Sequence, residues 1–181
     1  FLASAEENGV GQALGFLREV DMINERRRAK VVELAGEMLG TVAGRRITVL
    51  GAAFKPDSDD VRDSPALDVA DRLTAAGAEV TVTDPQALDN ALRRMPELRV
   101  QSDLDTALRG AELTVLLTEW SEYRELDPSR AAGLVAAPRI LDGRSVLDAR
   151  RWSEAGWELR ALGRGPVAPA PDSAAEALAR T

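Results

Sequence analysis

The chain has neither cysteine nor histidine among its 181 residues. The first absence removes thiol nucleophiles and disulfides, the second removes imidazole acid–base chemistry, and together they remove almost every transition-metal site. Any step that needs those groups must draw them from elsewhere, so no catalytic residue and no metal ligand is expected here. No run of about 18 apolar residues is available to cross a membrane, and no charged segment followed by an apolar one opens the chain. A soluble, cytoplasmic protein without a membrane partner is expected. Positive charge is scarce: 23 Lys and Arg stand against 30 Asp and Glu, a net charge of −7. That balance argues against a counterion-releasing grip on nucleic acid. Phe1 stands first in place of Met, and a processed or truncated piece of a longer protein is the expectation.

A further absence is local. In "VLGAAFKPDSDDVRDSPALDVADRL", residues 49–73, a strand-like run ends at Gly51 and a helix follows. A dinucleotide fold would place G-x-G-x-x-G there, letting the backbone approach a pyrophosphate. The turn instead reads Gly51, Ala52, Ala53, Phe54, Lys55, Pro56.

A hydrophobic fraction of 45% suffices for a core, and the length suits one domain of roughly 100–150 residues with something appended. Over residues 10–39 the apolar positions Leu14, Leu17, Val20, Ile23, Val31, Leu34 and Leu39 recur at mostly helical spacing. One long amphipathic helix is predicted, about 45 Å in length for thirty residues. Such surplus length suggests packing against another chain or domain; a core helix followed by a second one is the alternative. Within it, Glu25 and Arg26, Arg27 and Arg28 read as a solvated face or as a cationic cluster that meets an anionic ligand.

Strand and helix then alternate. Strands are expected at residues 47–50, 79–83, 98–101, 113–117 and 139–141, and helices at 65–75, 87–94, 104–109 and 128–135. The alternation specifies an α/β, doubly wound parallel sheet, because right-handed crossovers place helices on both faces. The Pro/Ala-rich stretch 164–181 reads as a flexible tail.

In an open parallel sheet, ligands sit outside the carboxyl ends of the strands where strand order reverses. Lys55 there offers a point charge for a phosphate and Phe54 a flat apolar surface; a solvated lysine beside a core phenylalanine is equally open. Ser64 before Pro65 reads as a helix cap. Asp57, Asp59, Asp60 and Asp63 surround Arg62 and read as turn formers and guanidinium partners rather than cation ligands, while Arg62 is placed to steer an anion. Asp84 stands where a dinucleotide domain carries its ribose-binding acid; without the glycines it is expected to cap the next helix, opened by Pro85. Trp120 is read as packing rather than stacking. Arg144 follows an Asp-Gly turn and would project into the same crevice as Lys55, a two-cation arrangement for a diphosphate.

The segments "GAAFKPDSDDVRDSPAL" (51–67), "VTDP" (82–85), "LLTEWSEYRELD" (116–127), "LDGRSVLD" (141–148) and "GWELRALGRG" (156–165) resemble the C-terminal part of the UDP-glucose 6-dehydrogenases of the UDP-glucose/GDP-mannose dehydrogenase family. They stand in that family's order and spacing. The resemblance implies a Rossmann-like domain that holds a nucleotide sugar, preceded by a long helix that makes a homodimer. It implies boundaries at 1–43 for part of the dimerisation helix region, 44–163 for the UDP-sugar-binding domain and 164–181 for the tail. It further implies that NAD is bound mainly by an N-terminal domain missing from this chain, and that the catalytic cysteine precedes Phe1. Phe54, Lys55 and Arg144 are similar in position to the family's substrate contacts, and Arg62 to the arginine that reaches the cofactor NAD. Departures are Ala52 for leucine or phenylalanine, Ser58 for threonine, Asp63 for glutamate and Thr83 for an aromatic.

The reaction implied for an intact protein is oxidation of UDP-glucose to UDP-glucuronate with two NAD, the fragment alone being inactive. AFKP and "TEW" favour glucose over the GDP-mannose branch, with another UDP-sugar such as UDP-N-acetylmannosamine as the alternative substrate. A non-catalytic nucleotide-binding or dimerisation module is the alternative from a different class.

Overall fold

A computed structural model describes residues 15–170 of the chain. Helix α1 (Gly15–Leu39) leads into strand β1 (Arg46–Leu50), α2 (Pro65–Ala75), β2 (Glu79–Thr83), α3 (Leu88–Arg94), α4 (Leu104–Leu108) and β3 (Leu113–Leu116). Two short helices, α5 (Ser121–Arg124) and α6 (Pro128–Ala132), precede β4 (Arg139–Asp142), α7 (Ala149–Glu154) and β5 (Glu158–Ala161). The five strands form one parallel sheet in the order β2-β1-β3-β4-β5. β3 is buried along its whole length, as an apolar strand covered on both faces must be.

The register sets the level at which the loops emerge. Leu50 lies opposite Thr83 and Leu116, Leu116 opposite Asp142, and Asp142 opposite Ala161. All five strands therefore end in one row, and strand order reverses between β1 and β3. The segments beginning at residues 51, 84, 117, 143 and 162 rise together from that edge.

α1 is one continuous helix of 25 residues, about 37 Å long at 1.5 Å per residue, which disposes of the two-helix alternative. Residues 10–14 of the expected helix lie outside the described residues. Its C-terminal half buries Val31, Ala35, Met38 and Leu39, while Val20, Met22 and Ile23 stay exposed. Ion pairs tie it down from two neighbours: Arg72 of α2 to Glu25, Arg28 to Asp68 of α2 at 3.6 Å, and Arg160 of β5 to Glu37 at 2.6 Å.

Two expectations need correction. Residues 98–101 form no strand; a lone bridge joins Val82 to Val100, made by two hydrogen bonds, from the Val82 amide to the Arg99 carbonyl and from the Gln101 amide to the Val82 carbonyl, too few to extend a ladder. Pro85 does not open a helix, because α3 begins at Leu88 with Ala87 at its cap. The sequence reading also missed α5, α7 and β5. β5 is four residues long with Glu158 and Arg160 alternating with buried Leu159 and Ala161, too short a period-2 signal to stand out. Just ahead of it in the chain, Trp152 and Trp157 pack edge to face at 4.8 Å, and the Trp157 indole donates to the Pro128 carbonyl at 2.8 Å. Beyond it, Val167 pairs with Leu159 in antiparallel sense, and residues 171–181 lie outside the described part. No helix among the described residues is long and apolar enough to cross a membrane.

Gly51, at the end of β1, has φ +109°, and a Cβ there would sit 2.4–2.7 Å from Thr118. Gly51→Ala combines backbone strain with a clash that rigid neighbours cannot relieve, so a loss of about 2–4 kcal/mol is expected. Urea denaturation checks this; an unchanged midpoint would contradict it.

Candidate functional site

Two buried aspartates build the site's loops. Asp84 follows β2 and is 3% exposed. Its Oδ2 accepts from the Ala52 amide at 2.7 Å, the Ala53 amide at 3.0 Å and the Trp120 indole Nε1 at 3.1 Å; its Oδ1 accepts from the amides of Gln86 and Ala87 at 2.9 and 2.8 Å. The expected local cap is thus only half of what Asp84 does. The other half crosses to the turn after β1 and fixes its backbone. Two hydroxyls finish that turn: Ser64 donates to the Ala52 carbonyl at 2.7 Å while capping α2, and Thr118 donates to the Ala53 carbonyl at 2.8 Å.

Asp142, 1% exposed at the end of β4, repeats the device. It accepts from the amides of Arg144, Val146 and Leu147 at 2.8–2.9 Å. Gly143 is required beside it, because a Cβ would meet Leu117 Cδ2 at 2.8 Å and the Leu116 carbonyl at 3.0 Å.

These two turns face one cleft of about 280 Å³, lined by Phe54 and Lys55 after β1, Leu117 after β3, Gly143 and Arg144 after β4, Leu162 after β5, and Asn24, Arg27, Arg28 and Val31 of α1. The volume lies just below the roughly 300–1,000 Å³ seen for ligand pockets. Four of its lining residues are cationic and none is acidic, in a chain of net charge −7.

The structure therefore brings Phe54, Lys55 and Arg144 together, and adds Arg27 and Arg28, which the sequence offered only as a charged cluster. Phe54 is 51% exposed, so it is no core residue. Arg144 gives two bonds to Glu119, Nε to Oε2 at 2.5 Å and Nη2 to Oε1 at 2.8 Å. The hydrogen bond from Arg144 holds the Glu119 carboxyl below its usual range against the opposing effect of burial.

Arg62 is not part of this lining. Its side chain is 86% exposed and forked onto Asp60, with Nη2 to Oδ2 at 2.7 Å and Nε to Oδ1 at 3.0 Å. Asp59 instead accepts from the Asn90 amide at 3.0 Å. No group of three or more acidic residues suited to a metal occurs among the described residues. Trp120 is buried, which fits packing, though its indole bond to Asp84 was not foreseen. Burial pushes the Tyr123 hydroxyl well above the usual tyrosine range, with the Asp84 charge adding to it.

A dinucleotide does not fit the turn after β1. The amides of Ala52 and Ala53, which would face a pyrophosphate, are spent on Asp84, and Thr118 fills the space beside Gly51.

Fold and site together define a Rossmann-like α/β domain whose crevice is lined by cations and whose first turn has its amides bonded to Asp84. Residues 48–149 match the UDP binding domain of the UDP-glucose/GDP-mannose dehydrogenase family, and the chain belongs to that family. It is 32% identical over 154 residues to a UDP-glucose 6-dehydrogenase of Bacillus subtilis, covering 84% of this chain and 35% of that protein. A UDP-glucose 6-dehydrogenase of Rhizobium meliloti is 37% identical over 144 residues, 78% of this chain and 32% of that one. Among solved structures, a UDP-glucose dehydrogenase from Pyrobaculum islandicum superposes with a TM-score of 0.70 at 34% identity, over 83% of this chain and 33% of its own. A UDP-D-ManNAc dehydrogenase from Pyrococcus horikoshii gives 0.69 at 27% identity, over 83% and 34%. The chain spans about a third of the length of these relatives.

Two outcomes are expected. Asp84→Asn turns an amide N–H toward a shell of donors and should cost at least about 2 kcal/mol in urea unfolding; a wild-type midpoint would contradict the role given to Asp84. The side-chain hydrogen bond from Arg62 lowers the Asp60 carboxyl to about 2. Carbon-detected NMR titration should find Asp60 still charged at pH 3, and Arg62→Ala should return its midpoint toward the usual carboxylate range.

Proposed function

We propose that this chain is the nucleotide-sugar-binding portion of a UDP-glucose 6-dehydrogenase, an NAD-dependent enzyme that oxidises UDP-glucose to UDP-glucuronate. The observation that carries the reading is the cleft itself: Lys55, Arg144, Arg27 and Arg28 around one opening, no carboxylate in its lining, and exposed Phe54 at its mouth. Lys55 serves as a point charge and Arg144 as a planar fork for the diphosphate, the two geometries that phosphate oxygens accept best. Phe54 supplies an apolar face to a ring of the nucleotide sugar. Since one solved relative is a UDP-D-ManNAc dehydrogenase, a UDP-N-acetylhexosamine is the competing substrate.

The chain's contribution to the reaction is to bind and orient. Holding the diphosphate and one ring fixes where the sugar's C6 lies, and near-attack geometry accounts for a large part of rate enhancement. NAD supplies the hydride acceptor and is held by another domain, as is the cysteine that covalent capture of the aldehyde requires. Arg62, exposed on its loop, is available to reach that cofactor from across the domain boundary. Exposed Val20, Met22 and Ile23 on α1 support residues 1–43 as a homodimer element, residues 44–163 being the UDP-sugar domain. Alone, the chain should not reduce NAD.

Calorimetry with UDP tests the reading. Lys55→Ala and Arg144→Ala should each weaken UDP by about ten- to a hundredfold, the worth of one hydrogen bond to a charged group. Uridine, lacking the phosphates, should respond to neither change. Wild-type UDP affinity in both variants would remove them from the site.

A further inference from the structure

The sequence singles out "LLTEW", yet the cleft as described uses only Leu117 of it. Residues 118–120 tie the three site-forming loops together. Thr118, fully buried, donates to the Ala53 carbonyl in the turn after β1, and Trp120 donates its indole N–H to Asp84 at the end of β2. Glu119 stands between these two pinned residues, and its carboxylate takes both Nε and Nη2 of Arg144 in the turn after β4.

We propose that Glu119 is the positioning residue of the anion cleft: it grips the Nε/Nη2 edge of the Arg144 guanidinium so that the Nη1/Nη2 edge is presented to the ligand's diphosphate. The proposal rests on the reading of the cleft as a UDP-sugar site and deepens it.

Three features carry it. Arg144 lines the cleft and Glu119 does not, so the carboxylate pairs with the guanidinium without taking the ligand's place. The two bonds to Glu119 use Nε–H and one hydrogen of Nη2; a planar guanidinium still has three N–H donors for a phosphate. The backbone of Arg144 is fixed as well, its amide donating to Asp142 at 2.9 Å, so head and base of a long side chain are both ordered before any ligand arrives. A free arginine must give up its rotamer freedom on binding, and ordering it in advance removes that cost.

The role has a sign that simple charge does not. Glu119 brings a negative charge near an anion site, so if charge alone mattered, its removal would tighten binding. Positioning predicts the reverse.

The test uses the full 181-residue chain, UDP as the probe and calorimetry at fixed ionic strength. Glu119→Ala should weaken UDP by about three- to tenfold, the cost of ordering one long side chain. In an Arg144→Ala background the same change should cause no further loss of affinity, because the two residues act as one unit. In the ligand-free chain, the Arg144 Nε–H signal by NMR should be rigid in the wild type and motionally averaged in Glu119→Ala, a readout that general loosening of the fold would not confine to this side chain. Tighter UDP binding by Glu119→Ala overturns the proposal, as does an equal loss in the Arg144→Ala background. Should Arg144→Ala and Lys55→Ala both bind UDP like the wild type, the cleft reading falls and takes the proposal with it; Arg144→Ala alone at wild-type affinity, or Arg144→Ala weakened with Glu119→Ala unaffected, overturns the proposal alone.

Discussion

Five hydrogen-bond donors converge on the buried carboxyl group of Asp84, and the site depends on that convergence. A dinucleotide domain uses an acid at this strand end to reach outward to a ribose. Here the acid turns inward and takes the two amides that a glycine-rich turn would leave open to a pyrophosphate. With its backbone occupied, the turn after β1 works through its side chains, and Phe54 and Lys55 face the cleft. Asp142 does the same for the turn after β4 and sets out Arg144. Because Leu50, Thr83, Leu116 and Asp142 end at one level of the sheet, two local devices of this kind bring cations nearly ninety positions apart in sequence to the same opening.

Net charge is a poor guide to such a site. The molecule as a whole is acidic and repels anions at long range, but screening confines that effect to about 8–10 Å at ordinary ionic strength. Within the cleft the lining charges are all positive, and Val31, Val69, Leu117 and Leu162 form apolar walls that strengthen the field between them. The neutralising carboxylates, Glu119 and Asp68, pair with Arg144 and Arg28 and are not part of the lining.

Alternation of strand and helix made the parallel sheet legible, since β1 to β4 carry runs of β-branched and apolar residues between clear turn signals. β5 escaped because an edge strand of four residues, half of them charged, looks like loop. Ser64 before Pro65 announced its cap through local chemistry alone. Asp84 announced only its local half: the bonds to Ala52, Ala53 and Trp120 span more than thirty positions, and no spacing rule encodes them. Lys55 and Arg144 could be paired in advance because each follows a strand of the same sheet. Arg27 and Arg28 could not be placed, as which face of α1 meets the cleft is decided by the packing of Val31 and Ala35 and by the ion pairs to α2. Glu119 carried no signal of its own beyond membership of the segment at residues 116–127.

The central claim is that the turns held by Asp84 and Asp142 form a diphosphate site in place of a dinucleotide site. A crystal structure of the chain with UDP tests it most directly. The diphosphate should lie between the Lys55 ammonium and the free edge of the Arg144 guanidinium, with the Ala52 and Ala53 amides still bonded to Asp84. Density for UDP at the β2 edge beside Thr83 and Gln86, or a phosphate bound by the amides of residues 52 and 53, would contradict the account.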